Sequence, residues 1–152
     1  MHKADARTPD RLRHAASWLI NLASAHSQRL VSEGFAAAGA RGYHYRLLAA
    51  LDETGPSSQA ALGRHTGIDR SDVVAALNEL AAKNLIDRSP DPSDRRRNVI
   101  TLTPDGTRHL HELQKVVDRI QDDLLAPLTP AERDQLTALL TRITDHHAKS
   151  RT

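Results

Sequence analysis

The highest density of positive charge in the sequence is a run of three arginines, Arg95, Arg96 and Arg97, which directly follows Asp94. Arginine is well suited to bind phosphate groups and base edges, because its planar guanidinium carries several donors and keeps its charge. Consecutive side chains on an extended loop point in different directions, so the three cannot all face one way. We therefore expect at least one of them to enter a DNA minor groove, while another holds Asp94 or a phosphate.

A second group of polar residues lies at the starts of two short predicted helices. Arg70 is the expected base reader, because a guanidinium can bond to both acceptors of guanine, and Asp72 can accept from a cytosine amino group. Ser57 and Ser58 can place hydroxyl and N–H groups on a phosphate. Asp69 is expected to cap its helix rather than to contact a base. The residues predicted to bind DNA are Ser57, Ser58, Asp69, Arg70, Ser71, Asp72, Arg88, Asp94, Arg95, Arg96 and Arg97.

These residues are placed by elements in the order helix, turn, helix, strand, loop, strand. The first helix begins at the serines and ends before Gly67, and the second buries the apolar residues on one of its sides. Strands are predicted at 85–88 and 99–103, and the polar, proline-rich segment 89–98 between them is expected to be an exposed loop. This order is that of a winged helix-turn-helix, whose recognition helix presents its first turn to the major groove. The predicted fold class is mainly α with a small β-hairpin wing.

Long amphipathic helices are predicted on both sides of this unit. The first runs from Leu12 to about Glu33 and is expected to break at Gly34. The last begins with a capping-box pattern at Thr129 and Glu132. The apolar stripes of the two helices after the wing contain Leu110, Leu113, Val117, Ile120, Leu124, Leu136, Leu139, Leu140 and Ile143. One small winged unit cannot cover these stripes, so we expect a symmetric homodimer.

Composition narrows the class of protein. A chain of 152 residues with 39% hydrophobic residues fits one domain, predicted here at 1–152, with dimerisation helices at 11–33 and 105–148 and a winged DNA-binding lobe at 43–103. The sequence contains no cysteine, which excludes disulfides, thiolate zinc sites and cysteine nucleophiles. No apolar run approaches the roughly 18 residues of a membrane span, and Met1–Asp5 lacks the apolar core of a signal peptide. We therefore expect a cytoplasmic protein with no membrane partner.

Three segments together resemble the MarR (multiple antibiotic resistance regulator) family of bacterial transcription factors: Leu77–Ile86, Asp91–Arg96 and Leu102–Gly106. The resemblance covers residues from about 11 to about 147. It implies a homodimer, joined by the first and last two long helices, that binds pseudo-palindromic operators and is usually released by a small molecule. It further implies that Asp94 braces the wing while Arg95 or Arg96 enters the minor groove. One departure is Ala75, which stands where many relatives carry arginine, so Arg70 has to provide more of the base recognition.

A cluster of aromatic and basic residues near the junction of the two predicted lobes is a candidate effector pocket. In the resembled family this junction houses a pocket for aromatic or anionic compounds. Aromatic walls with an arginine or histidine suit such ligands, and the predicted pocket residues are Trp18, His44 and Arg46. The alternative is that Tyr45 belongs to the core and the neighbouring side chains are half-exposed.

Other chemistries find less support. The number of histidines suggests a zinc-responsive regulator as an alternative. However, no two histidines have the i, i+4 spacing that places two ligands on one helix face. His111-Glu112 begins like a zinc-protease motif, yet position 115 is Lys115. The sequence has no nucleophile elbow, P-loop or dinucleotide fingerprint, so we predict neither an enzyme nor a cofactor. A winged-helix module that docks on protein instead of DNA stays open as a further alternative.

Overall fold

The computed structural model describes residues 8–151 and confirms a mainly helical chain with a small antiparallel sheet. The described elements are α1 Asp10–Arg13, α2 Ala16–Ala37, α3 Gly42–Thr54, β1 Ser57–Ser58, α4 Gln59–Thr66, α5 Arg70–Ala82, β2 Ile86–Pro90, β3 Asn98–Leu102, α6 Pro104–Leu124 and α7 Pro130–Lys149. The segment Met1–Asp5, on which the signal-peptide prediction depends, lies outside the described residues. So do both ends of the predicted single domain.

The winged unit is built around one apolar core shared by α3, α4, α5 and the sheet. Leu47, Leu62, Leu77, Leu80 and Ile100 are essentially inaccessible to solvent, and they come from all of these elements. The three strands have the order β1-β3-β2, so β3 is central. In this register Ile100 lies opposite both Ser57 and Arg88. The core therefore fixes α4, α5 and the base of the wing in one unit.

Several predicted helix ends are confirmed. The Ser58 hydroxyl accepts a hydrogen bond from the Ala61 N–H at 3.1 Å at the start of α4, and Thr129 and Glu132 form the expected capping box of α7. Gly67, with a φ of 66°, ends α4, because the left-handed conformation suits glycine. The C-cap of α5 is Lys83 and not the predicted Asn84, which follows it in the left-handed conformation with a φ of 58°.

Other local predictions are wrong. Asp69 occupies the position before α5 but makes no capping hydrogen bond; since it is exposed, water can satisfy the N–H groups of the first turn. Ser57 belongs to β1 and not to the following helix. Gly34 does not break α2, which continues to Ala37. The missing side chain at Gly34 instead makes room for Ile120 of α6, which packs 2.8 Å from where a Cβ would lie. The predicted first helix is instead interrupted earlier, between α1 and α2.

The terminal helices differ in how well they are covered. α2 and α6 pack on each other and on α3, and α6 buries Leu110, Leu113, Val116 and Ile120. Val116 thus takes the buried position that the sequence assigned to Val117. α7 has no buried residue at all. No helix in the described part of the chain combines the length and apolar character needed to cross a membrane.

Candidate nucleic-acid interface

A cleft of about 730 Å³ opens between α4, α5 and the wing. Its polar lining consists of Ser58, Gln59, Arg64, Arg70, Arg96, Arg97 and Asn98. The lining contains four guanidinium groups and no carboxylate, so it attracts anions. Two of these arginines come from helices and two from the wing, which means that the tertiary fold collects charge from three separate stretches of sequence.

Helix α5 presents one face to the cleft side and the other to the core. Val73, Ala76, Leu77 and Leu80 are buried, whereas the residues on the outer face are exposed. Arg70 and Ser71 stand at its exposed first turn, and the guanidinium of Arg70 makes no hydrogen bond or ion pair to any described residue. A free guanidinium at the exposed start of such a helix can bond to base edges in the major groove, and the base-reading role of Arg70 stays a prediction.

The residues before and on α4 are placed in two ways. Ser58 lines the cleft and caps α4. Ser57 is buried, and its hydroxyl donates to the Gly55 carbonyl oxygen at 2.8 Å, so that hydroxyl does not face the cleft. Arg64 and Gln59 line the cleft, although the sequence did not lead us to predict them. A helical projection of α4 could have found Arg64, which lies on the side opposite the buried Leu62, but not Gln59, which is three residues before Leu62 and shares its face.

The tip of the wing is organised by two carboxylates. Asp94 accepts a hydrogen bond from the Arg96 N–H at 3.0 Å and lies 3.6 Å from the Arg97 guanidinium, from Oδ2 to Nε. Asp91 accepts from the N–H and the hydroxyl of Ser93. The bond from the Ser93 N–H is the main cause that lowers the pKa of the Asp91 carboxyl, and the Ser93 hydroxyl adds to it.

The guanidinium groups of Arg95 and Arg96 differ from that of Arg97. Both side chains are exposed, and neither makes a hydrogen bond or ion pair within residues 8–151. Asp94 therefore braces the loop through Arg97, as the sequence predicts for one member of the triplet. The other two guanidiniums project from a fixed loop, and their entry into a minor groove stays a prediction.

Comparison with known proteins places this geometry in a family. A family model described as MarR family matches residues 39–97. A solved structure of a "probable transcriptional regulator" from Pseudomonas aeruginosa is 32% identical, with a TM-score of 0.75, over 88% of this chain and 99% of that one. The chain belongs to the MarR family. Its match to that structure extends well beyond the winged unit and includes the terminal helices.

Two further relatives are informative. The transcriptional repressor NicR of Pseudomonas putida is 34% identical over 64% of this chain and 62% of its own length. BpsR of Bordetella bronchiseptica, whose DNA binding is regulated by 6-hydroxynicotinic acid, is 27% identical, with a TM-score of 0.77, over 91% of this chain and 99% of that one. The matches span between 60% and 62% of the length of the curated relatives.

In this MarR-family chain, two of the three residues predicted for the effector pocket hold the helix-turn-helix. His44 on α3 is 3% exposed, and its Nε2 lies 2.7 Å from Oε2 of Glu79 on α5. Arg41 approaches the other oxygen of Glu79 at 3.4 Å. Arg46 donates to the Thr66 carbonyl oxygen at the end of α4. Helix α3 is thus tied to both helices of the helix-turn-helix motif.

Three buried polar atoms have no hydrogen-bond partner among the described residues: the Nε1 of Trp18, the Nδ1 of His44 and the Nε2 of His109. Only those of His44 and His109 lie near this junction. Trp18 precedes Phe35 on the continuous helix α2, and Phe35 is the residue that contacts Tyr45 of α3, so Trp18 lies roughly 25 Å away along the helix axis. Burial lowers the pKa of His109, and the positive charge of Lys83 adds to this effect. Within residues 8–151, no three histidine, aspartate or glutamate side chains lie together as a metal site would require.

Arg88 is the one predicted DNA-binding arginine on a strand. It lies on β2, and its Nη2 donates to the Oδ1 of Asn78 on α5 at 2.8 Å. It does not line the cleft. Arg88 therefore contacts the recognition helix directly, a relation that the sequence did not predict because ten residues and a turn separate the two side chains.

Proposed function

We propose that this MarR-family chain is a sequence-specific DNA-binding repressor that acts as a homodimer on pseudo-palindromic operators. The observation that carries the proposal is the cleft with four arginines and no carboxylate, bordered by the exposed first turn of α5. In the proposed complex Arg70 and Ser71 read bases in the major groove, Ser58 and Arg64 bind phosphates, and one of Arg95 and Arg96 enters the minor groove.

The uncovered apolar residues of the terminal helices support a homodimer. On α7, Leu139, Leu140 and Ile143 are 53%, 39% and 45% exposed, and on α2 Leu19 and Leu22 are similarly accessible. Exposed apolar residues that recur along a helix mark an interaction face. A symmetric partner covers both faces and provides a second recognition helix, so that the two helices contact half-sites roughly 34 Å apart. Sedimentation at micromolar concentration tests this, and a stable monomer would contradict it.

Anisotropy titrations with duplexes selected from genomic fragments test the DNA-binding proposal. We expect the double variant Arg95→Ala, Arg96→Ala to bind the best operator about a hundredfold more weakly, with the salt slope reduced by about 0.9 for each phosphate that the variant no longer binds. The control is Arg108→Ala, Lys115→Ala, which removes two charges from the exposed surface of α6. If both double variants bind like the wild type, the wing assignment is wrong. If the wild type selects no duplex, the result supports the alternative that the winged helix docks on protein.

We further propose that an aromatic or anionic effector acts at His44 and Arg46, two of the three predicted pocket residues, and releases the operator. Trp18 lies too far along α2 to share this site. An anion bound to His44 would compete with the Glu79 carboxylate, and one bound to Arg46 would compete with the Thr66 carbonyl. Either event loosens a DNA-binding helix from α3. The regulation of BpsR by 6-hydroxynicotinic acid supports a ligand of this class.

Addition of 6-hydroxynicotinic acid and benzoate to the operator titration tests the effector proposal. We expect at least one aromatic acid to weaken DNA binding by the wild type and to have less effect on His44→Gln. An equal response of the two proteins would place the effector elsewhere.

A further inference from the structure

The hydrogen bond between Arg88 and Asn78 joins the wing to the recognition helix. Arg88 Nη2 lies 2.8 Å from Asn78 Oδ1, and both side chains are exposed. Hydrogen bonds with a charged donor are stronger than neutral ones. This contact is the one side-chain hydrogen bond that connects β2 to α5 in the described part of the chain.

Few other side chains of β2 pack the outer half of the wing against α5. On β2 only Ile86 is buried, and the following four residues are exposed. Side chains two positions apart on a strand share a face, so Arg88 continues the face by which Ile86 packs on the core. On the other side, β3 pairs with β1 at Val99 and Ile100. The Arg88 bond therefore connects β2 to α5 at one edge of the sheet, whereas β1 supports β3 at the other edge.

Asn78 occupies a sensitive position on α5. It follows Ser71 by seven residues, which is two helical turns, so the two side chains lie on nearly the same face. Ser71 stands beside Arg70 at the first turn proposed to read bases. A bond from Asn78 to the wing therefore fixes the spacing between the reading face of α5 and the arginines at the wing tip.

We propose that Arg88 and Asn78 form a latch that positions the wing relative to the recognition helix, so that Arg88 supports DNA binding through Asn78 without contacting DNA. The inference rests on the proposed function and assigns a positioning role within it. The wing loop begins at Asp91, three residues and about 10 Å beyond Arg88, so a small rotation at the latch displaces Arg95 and Arg96 from a groove. Major-groove contacts of α5 do not depend on the latch.

A double-mutant cycle on operator affinity tests the coupling. We expect Arg88→Met and Asn78→Ala each to weaken binding by about three- to tenfold, and the double variant to be no weaker than either single variant. Ser89→Ala, on the opposite face of the same strand, is the matched control and should bind like the wild type. A phosphate contact by Arg88 would give another pattern: Asn78→Ala would be silent, and Arg88→Met would lower the salt slope by about 0.9.

The sequence preference of the wing supplies a readout that a merely structural role would not move. In the wild type, replacing A·T by G·C at the wing site adds an amino group to the minor groove and should weaken binding, whereas I·C, which lacks that group, should not. We expect both latch variants to lose this discrimination and to keep the penalties for changes in the major groove. Retention of the minor-groove discrimination in Asn78→Ala would overturn the latch.

Hydrogen exchange of the free protein separates failure of the latch from failure of the proposed function. We expect the β2–β3 amides to exchange about three- to tenfold faster in both single variants and equally in the double variant. Unchanged exchange would overturn the latch even if the protein binds DNA. Faster exchange in a protein that binds no DNA would support the latch and overturn the proposed function.

Discussion

The winged unit and α7 carry similar apolar patterns but have opposite environments. Leu77 and Leu80 on α5 are completely buried, whereas Leu139 and Ile143 on α7 are about half exposed. Hydrophobic periodicity shows that a helix has a face to bury, but it does not show which surface covers that face. In the winged unit the cover comes from the same chain, and for α7 we propose that it comes from a second copy.

Helix α6 connects these two regions. Its first turn packs beneath the base of the wing, where the Thr103 N–H donates to the Leu85 carbonyl oxygen at 3.2 Å. Its middle packs against α2, and its end leads to α7. A displacement of α6 therefore affects the wing and the terminal helices together. Substitutions on α6, in the winged unit and on α7 test this connection.

The largest effect is expected for Gly106→Ala on the first turn of α6. A Cβ at this position would overlap the Leu85 carbonyl oxygen, which belongs to the backbone and cannot move aside. We expect a loss of about 3 kcal/mol in the free energy of unfolding, measured by urea denaturation. Gly42→Ala is the control, since a Cβ there meets no atom within 4 Å. Equal stability of the two variants would show that α6 does not pack so closely under the wing.

The pair Leu77→Ala and Leu139→Ala compares the two regions directly. Leu77→Ala should lower the free energy of unfolding by about 3 kcal/mol, because it leaves a cavity in the core. Leu139→Ala should instead weaken dimer association and change the midpoint of unfolding only at protein concentrations where the dimer forms. Denaturation at two protein concentrations, together with sedimentation, measures both effects. A large destabilisation by Leu139→Ala in a monomeric sample would mean that α7 packs on its own chain.

The smallest effect concerns pH and His109, which lies where α6 faces Lys83 and His44. Burial is the main cause that lowers the pKa of His109, and the positive charge of Lys83 adds to it, so the folded chain binds this proton less readily than the unfolded chain. The contribution to stability is therefore complete above pH 6.5 and declines as the pH falls below it. We expect the free energy of unfolding to fall less between about pH 7 and about pH 5 in His109→Gln than in the wild type.

The control for this measurement is His147→Gln on the exposed face of α7. It controls for the loss of a histidine side chain outside the packed region around His109. If His109→Gln and the wild type show the same dependence, then burial does not affect the titration of His109.

Sequence signals of local origin were the reliable ones. The capping box at Thr129 and Glu132, the end of α4 at Gly67 and the wing hairpin depend on residues close in sequence, and each was predicted. Predictions at Gly34 and Asp69 were wrong for reasons that lie outside their local sequence. Gly34 accommodates Ile120 from a distant helix, and Asp69 leaves the N–H groups of α5 to the solvent.

The sequence by itself determined the fold class, the buried faces of the helices and the concentration of arginine at the wing, because periodicity, capping and local charge are properties of neighbouring residues. Only the tertiary structure decided which charged groups are free and which are engaged. Arg70, Arg95 and Arg96 have no described partner, whereas Arg88 is bonded to Asn78. The physical reason is that such partners depend on how α5 and the wing pack, and distances between side chains far apart in sequence follow from that packing alone.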